Sequence, residues 1–229
     1  MNKKLNFKFI FIVLSLSIVF TSCSDWTETS SVDLIESNIE TDNPELYAQY
    51  LSNLREYRNK EHKTVYVWFD NVKDMPKSRG EQISAIPDSV DIVNLVNPDD
   101  LSSWVISDME SVRKNKGVKF IFNISYPAIE KEYEQYLLQN EESEGSSDID
   151  GFLSYTTNYI DNKLALVNKY GYDGISILFY GMITTHLTEA AKEAYLAREN
   201  AFMSKFTTWI NQNPDKLFIF EGYPQNLTD

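Results

Sequence analysis

The sequence predicts an α/β fold in which short buried strands alternate with long amphipathic helices around a parallel sheet. Two observations lead to this prediction. Five short runs are rich in apolar residues, and segments with helical spacing of apolar residues separate them. Several runs, such as FIF at 120–122 and ISILF at 175–179, are apolar at nearly every position, which is typical of strands covered on both faces. The predicted strands are 64–69, 90–96, 118–124, 173–179 and 216–220.

Helices are predicted before the first strand and between the later ones. Pro44 suits a first helical position, and an apolar stripe follows it over 46–57. Two glycines, Gly117 and Gly171, stand where helices should end before the next strand. The stretch 139–150 is acidic and rich in Ser and Gly, so we predict a surface loop there. The remaining helical stripes are 101–112, 152–167 and 195–210.

The β-α-β-α order fits either an open doubly wound sheet or a TIM-type (β/α)8 barrel. The segment after the first strand, DNVKDM at 70–75, lacks the glycines with which G-x-G-x-x-G cradles a phosphate. That difference favours the barrel. A complete barrel takes about 250 residues, whereas 44–229 spans 186 residues with five predicted strands. We therefore expect an incomplete barrel, the N-terminal part of a longer protein.

The first 22 residues have the composition of a secretory signal peptide. Three lysines precede an apolar run at 9–20, which is too short to span a bilayer. Small residues then precede Cys23, the single cysteine of the chain, as in a bacterial lipobox, although Phe20 stands where Leu is usual. The alternative is a plain cleaved signal with an incidental cysteine. A single cysteine excludes an intrachain disulfide.

These features predict three segments: a signal peptide at 1–22, a lipidated N-terminus with a flexible polar spacer at 23–43, and a barrel domain at 44–229. The expected location is the outer membrane, where the lipid would anchor the protein with its domain exposed at the cell surface. Stable anchoring requires at least two acyl chains, which lipoproteins of this kind carry.

Composition limits the possible partners. The net charge is −13, and loss of the three lysines in residues 1–22 would leave −16. Such a surface repels phosphate backbones, so we expect no nucleic-acid partner. Aromatic residues reach 14%, with 14 Tyr and 4 Trp, a surplus that suits stacking on sugar rings although most of it must be core. The two histidines, His62 and His186, lack the clustered ligands of a metal site, and no cofactor is expected.

The segment GYDGISILFY at 171–180 resembles the fourth-strand signature of glycoside hydrolase family 18, D-G-x-D-x-D-x-E. Together with CSDWTE at 23–28, YVWFDN at 66–71, VDIVNL at 90–95 and FIFNISYP at 120–127, it is similar to the family 18-like lipoproteins of Bacteroides-type glycan-utilisation systems. The resemblance implies a barrel, an oligosaccharide ligand containing N-acetylglucosamine, and other surface glycan-uptake proteins as partners.

The signature is degenerate in this chain. Family 18 enzymes use the acetamide of the sugar as nucleophile, with a Glu as acid and a neighbouring Asp that orients the acetamide. Asp173 and Gly174 match the first two signature positions, whereas Ser176, Leu178 and Tyr180 replace the two later aspartates and the glutamate. A leucine carries no proton to transfer, and a tyrosine with an ordinary pKa near 10 is a poor acid. We therefore assign no catalytic residue to this motif.

Binding residues are predicted at the carboxyl ends of the strands, where barrel sites are built. Alternation along strand four should point Ser176, Leu178 and Tyr180 into the barrel, with Tyr180 at its mouth. Asp70 and Glu221 end strands one and five, where either could be a replacement carboxylate; the alternatives are a turn cap for Asp70 and a solvated strand end for Glu221. The predicted ligand-contacting residues are Trp68, Asp70, Asn71, Tyr126, Tyr180, Glu221 and Tyr223.

Three functional hypotheses remain open at this point. The leading one is a non-catalytic, cell-surface, glycan-binding lipoprotein on a degenerate family 18 barrel. The first alternative is an active endoglycosidase of chitinase or endo-β-N-acetylglucosaminidase type, which requires two carboxyl groups close together at the strand ends. The second alternative is an inert fragment of an interrupted gene.

Overall fold

The computed structural model describes residues 39–139 and 149–227. The chain divides into two compact units, Met1–Pro44 and Glu45–Asp229. The described part of the first unit includes a single-turn helix, α1 (Ile39–Asp42), where the sequence predicted only a flexible spacer. The predicted signal peptide, Cys23 and most of the predicted loop at 139–150 lie outside the described residues. No helix in the described ranges combines the length and apolar character that crossing a membrane requires.

The second unit is built on a parallel sheet whose five described strands all occur where the sequence predicted them. They pair in chain order, each strand lying beside the next. The strands are β1 (Tyr66–Phe69), β2 (Ile92–Leu95), β3 (Lys119–Ser125), β4 (Gly174–Phe179) and β5 (Leu217–Gly222).

Five longer helices accompany the strands, and their ends follow local chemistry. Ser102 and Thr188 accept hydrogen bonds from backbone N–H groups at the starts of two of them, which places Leu101 before the helix rather than within it. Gly117 and Gly171 adopt left-handed conformations where the sequence predicted helix ends. The helices are α2 (Pro44–Arg58), α3 (Ser103–Lys116), α4 (Tyr126–Gln139), α5 (Ile149–Tyr170) and α6 (Glu189–Gln212).

The strand order distinguishes a barrel arc from a doubly wound sheet. A doubly wound sheet reverses its strand order at a switch point and carries helices on both faces. Here the order does not reverse, and one face of the sheet, the outer face, packs against the helices. Its residues, such as Phe120, Phe122, Ile175 and Ile177, are fully buried in the core with side chains from α3 to α6. The α/β fold with an incomplete barrel is therefore confirmed.

A contact between the first and last strands shows how strongly the sheet curves. Neighbouring strands lie about 4.8 Å apart, so β1 and β5 would be about 19 Å apart in a flat sheet. The Tyr66 hydroxyl of β1 nevertheless donates a hydrogen bond to Glu221 of β5 at 2.6 Å. The two side chains cannot span a flat sheet, so the strands curve around a common interior, and their inner face lines it.

The amino end of the sheet is closed by ionic and carbonyl contacts from α2. Arg58 donates to the carbonyl oxygens of Asp88 and Val90, both at 2.7 Å, and also to that of Lys116. Its Nε lies 3.4 Å from the Asp91 carboxylate, and the Arg58 side chain is only 7% exposed. Lys116 forms an ion pair with Asp88 at 2.8 Å. These residues form what we call the amino-end clamp.

The two matched signature positions both serve packing at this same end. Asp173 accepts hydrogen bonds from Arg113 at 3.1 Å and from the Phe120 backbone N–H at 2.8 Å, which ties β3 to the start of β4. Gly174 is required by close approach, since a Cβ there would lie 2.1 Å from the carbonyl oxygen of Leu217. Asp173 therefore lies away from the strand carboxyl ends, where barrel sites are built.

Candidate functional site

Five polar side chains meet on the inner face of the sheet and form what we call the inner-face network: Tyr66, Asn94, Asn123, Ser176 and Glu221. The Ser176 hydroxyl oxygen accepts hydrogen bonds from the Asn94 amide at 3.0 Å and from the Asn123 amide at 2.8 Å. Asn94 also donates to the Tyr66 hydroxyl. Asn123 lies 3.4 Å from the Glu221 carboxylate, which Tyr66 contacts directly. The network thus links one side chain from each of the five strands on the inner face of the sheet.

Strand register brings these residues together. Asn123 pairs with Ser176, and Leu178, two residues further along β4, pairs with Glu221. In parallel strands, paired residues point to the same face, and residues two apart share that face. The side chains therefore converge on the interior although they come from separate strands.

The phenol in this network is partly buried and hydrogen-bonded to a carboxylate. Burial, together with the hydrogen bond to Glu221, raises the pKa of Tyr66 to about 12. The hydroxyl therefore keeps its proton at neutral pH and donates it to the carboxylate. Glu221 is the only carboxylate within the five described strands, and the partners that contact it, Tyr66 and Asn123, are neutral.

The three variant signature positions differ in their surroundings. Ser176 is fully buried within the network. Leu178 is half-buried beside Glu221 in the register. Tyr180 follows the last residue of β4 and is 48% exposed, and its ring centroid lies 5.8 Å from that of Tyr223. None of the three side chains carries a carboxylate.

Aromatic rings that the sequence predicted as ligand contacts lie near the strand carboxyl ends. Trp68 is 49% exposed, and its ring centroid lies 6.5 Å from that of Tyr66, two residues earlier on β1. Tyr223 is as exposed as its neighbour Tyr180. Rings that are half-exposed beside a polar network can receive the apolar face of a sugar. The strand ends thus carry Trp68 from β1 and the Tyr180–Tyr223 pair from the segments after β4 and β5.

The polar pair at the end of β1 is engaged by a neighbouring loop. The buried Asn71 side chain donates to the Asn97 carbonyl at 2.8 Å and accepts from the Asn97 backbone N–H at 2.9 Å. Asp70 is exposed and accepts from the Asn97 amide at 3.0 Å. The Asn71 amide therefore holds the chain after β1 against the chain after β2, and ligand contact at Asn71 stays a prediction.

Tyr126 lies at the junction between β3 and α4. The strand ends at Ser125, and Tyr126 begins α4, so its side chain turns toward the helical layer. Its ring packs edge-on against Phe179 at 5.0 Å and Phe202 at 5.2 Å and is 8% exposed. The ring is thus packed in the helical layer, and ligand contact by Tyr126 stays a prediction.

Sequence reasoning missed three members of the network: Tyr66, Asn94 and Asn123. A signal was present, because Asn94 and Asn123 are single amides in strands that are otherwise largely apolar. Buried amides need hydrogen-bond partners, so two of them in adjacent strands indicate a shared polar cluster. In the described part of the chain, no three His, Cys, Asp or Glu side chains group as a metal site would require.

Comparison with known proteins identifies one family. A family model described as glycoside hydrolase family 18, BT1044-like, matches residues 27–229. Among curated proteins, no sequence match is found.

Three solved structures are similar to the chain. A selenomethionine form of BT1044 with a glutamate-to-glutamine substitution has 18% identity and a TM-score of 0.49, covering 86% of this chain and 62% of its own. The apo endo-beta-N-acetylglucosaminidase from Cordyceps militaris has 15% identity and a TM-score of 0.45, and the match covers 75% of this chain and 53% of that enzyme. A double mutant of that enzyme in complex with fucosyl-N-acetylglucosamine-Asn has 15% identity and a TM-score of 0.38, and the match covers 68% of this chain and 48% of the mutant enzyme. This chain spans about three fifths of the length of the first.

Proposed function

Since this chain belongs to the BT1044-like group of glycoside hydrolase family 18, we propose that it is a non-catalytic lipoprotein that binds glycan at the cell surface. The proposed ligand is an oligosaccharide containing N-acetylglucosamine. The observation that carries the proposal is the set of residues at the variant signature positions, where Ser176, Leu178 and Tyr180 replace the carboxylates of the signature.

The chemistry of the inner face supports a protein without hydrolase activity. Substrate-assisted hydrolysis needs a carboxylic acid that protonates the leaving oxygen and a second carboxylate that orients the acetamide. The side chains that contact Glu221, Tyr66 and Asn123, are neutral and cannot supply the second carboxylate. Glu221 by itself can fill one of the two roles at most. Loss of a general acid alone lowers a rate by about 10²- to 10⁴-fold.

The same surface suits binding of a neutral sugar. The inner-face network supplies amide and hydroxyl groups for hydrogen bonds, while Trp68, Tyr180 and Tyr223 offer half-exposed rings for the apolar sugar face. A net charge of −13 disfavours anionic ligands and has no such effect on a neutral glycan.

Membrane attachment through Cys23 is part of the proposal, and fractionation of a Gram-negative host tests it. The variant Cys23→Ala should move from the membrane fraction to the soluble fraction, since it lacks the thiol that would carry the lipid. Cys23→Ala that remains with the membranes, as the wild type does, would contradict the anchor.

Calorimetry and product analysis together test the glycan-binding role. We expect N,N′-diacetylchitobiose and longer N-acetylglucosamine oligomers to bind, and mass spectrometry to detect no cleaved product. A turnover rate within about tenfold of an intact family 18 enzyme would overturn the proposal, since general acid loss costs at least about 10²-fold.

One observation favours a second candidate, an endoglycosidase with rearranged carboxylates. Glu221 lies on the inner face and is held by a phenol that stays protonated. If the wild type forms product, Glu221→Gln should abolish it while Asp70→Asn, which alters the exposed carboxylate at the end of β1, should retain it. Product formation that survives Glu221→Gln would rule out this candidate.

A further inference from the structure

A cavity of about 430 Å³ lies outside the sheet, on the opposite side of β4 from the inner-face network. Its walls come from the first turns of α4, the first half of α6 and the loop that joins β4 to α6. Phe179, the last outward-facing residue of β4, belongs to its lining. The apolar lining residues are Pro127, Phe179, Met182, Leu187, Ala191 and Ala194.

Two side chains of opposite charge enter this cavity from facing helices, Glu130 of α4 and Arg198 of α6. The Arg198 Nε atom is buried and has no hydrogen-bond partner among the described residues. Burial raises the pKa of Glu130, and the Tyr126 hydroxyl bonds to this carboxyl group. A buried donor without a partner is costly unless something occupies the space beside it.

The loop side of the cavity is held in place. The backbone N–H of Met182 donates to the Tyr195 hydroxyl of α6 at 2.9 Å. Tyr180, whose ring contacts Tyr223, lines the cavity at the point where it approaches the strand ends. The cavity is therefore bounded by fixed elements, and it lies next to the proposed glycan-binding surface without sharing the inner-face network.

We propose that this cavity is a second binding site, and that it takes one neutral sugar unit with an apolar face, such as N-acetylglucosamine. A carboxylate ligand would meet Glu130 and a cationic ligand would meet Arg198, so the pair favours a neutral ligand that both donates and accepts hydrogen bonds. The apolar lining fits the C–H face or the acetamide methyl group of such a sugar. The volume is within the range of about 300–1,000 Å³ that is typical of small-molecule sites. The choice of a sugar rests on the proposed function, whereas the cavity and its charge pair do not.

Filling the cavity tests the site with little risk to the fold. Ala191 and Ala190 are adjacent and exposed on the first turn of α6, but only Ala191 lines the cavity. We expect titration of the full chain with N-acetylglucosamine, followed by saturation-transfer NMR, to show two binding events. Ala191→Trp should weaken one of them at least tenfold, whereas Ala190→Trp should retain both. If Ala191→Trp shows the same two binding events as Ala190→Trp, the proposed second site is overturned.

The variant Trp68→Ala separates this inference from the proposed function. A single event that is lost in Trp68→Ala and kept in Ala191→Trp would overturn the second site and leave the proposed function standing. A single event that is lost in Ala191→Trp and kept in Trp68→Ala would support the second site and contradict binding at the strand ends. No binding in the wild type would overturn both.

Discussion

The two ends of the parallel sheet are built from different chemistry. At the amino end, the amino-end clamp and the Arg113–Asp173 pair join the elements through charged groups. Toward the carboxyl end, the inner-face network uses neutral amides and hydroxyls around one carboxylate, beside half-exposed rings. The amino end is thus held mainly by charged groups, whereas the inner face is held by a network with a single carboxylate. Variants at each end should therefore affect different properties.

The largest expected effect is on stability at the amino end. Arg58→Met removes the cationic partner of the buried Asp91 and the donor to the carbonyl oxygens of Asp88 and Val90. Breaking a buried ion pair by removing one partner typically costs about 3–5 kcal/mol. Urea unfolding followed by circular dichroism measures the loss. Arg55→Met is the matched control, because the hydrogen bond that Arg55 donates to the Asn115 carbonyl is exposed. Equal losses in both variants would contradict a special role for the clamp.

Crowding between strands gives the next effect. In Gly174→Ala, the new methyl group would meet the Leu217 carbonyl oxygen at 2.1 Å and push β5 from β4. Overpacking of this kind costs about 1–3 kcal/mol. The control is Gly80→Ala, where the nearest atom to a Cβ is 4.0 Å away. The same unfolding assay should leave the control within about 0.5 kcal/mol of the wild type, as surface changes usually do. A stable Gly174→Ala variant would refute the packing argument.

At the carboxyl end, the expected effect is on binding rather than on stability. Tyr180→Ala should weaken glycan binding by about 1–2 kcal/mol, the scale of a stacking contact with its burial. Because Tyr180 is 48% exposed, the free energy of unfolding of the variant should differ little from that of the wild type. Calorimetry with N,N′-diacetylchitobiose makes the measurement, and Tyr57→Ala, a 52% exposed tyrosine of α2, is the control. Unchanged affinity in Tyr180→Ala would place the glycan elsewhere.

The smallest effect is a pH dependence at the amino end. Hydrogen bonds to the Lys60 carbonyl and to the Asp91 carboxylate raise the pKa of His62. The charged ring therefore stabilises the fold below the unfolded pKa of about 6.5, and the contribution is lost as pH rises through the folded value. The melting temperature of His62→Gln should fall below that of wild type at pH 5.5 and match it at pH 8. His186→Gln serves as control, and a constant difference across pH would count against the interaction.

The strands were predictable because their runs are apolar at nearly every position, and the helix ends because Gly117 and Gly171 stand there. The network was not predictable in full. The contact between Tyr66 and Glu221 joins residues 155 positions apart and exists only because the sheet curves. The packing of Tyr126 in the helical layer was also not predictable, because one position separates the end of β3 from the start of α4.

The roles of Asp173 and Gly174 have a consequence for how distant relatives are recognised. One links two strands through a carboxylate, and the other leaves room for a carbonyl oxygen, so the backbone requires both whatever reaction takes place. Packing therefore accounts for both residues without any reference to a reaction. A partial match of this kind is evidence of ancestry and says nothing of turnover.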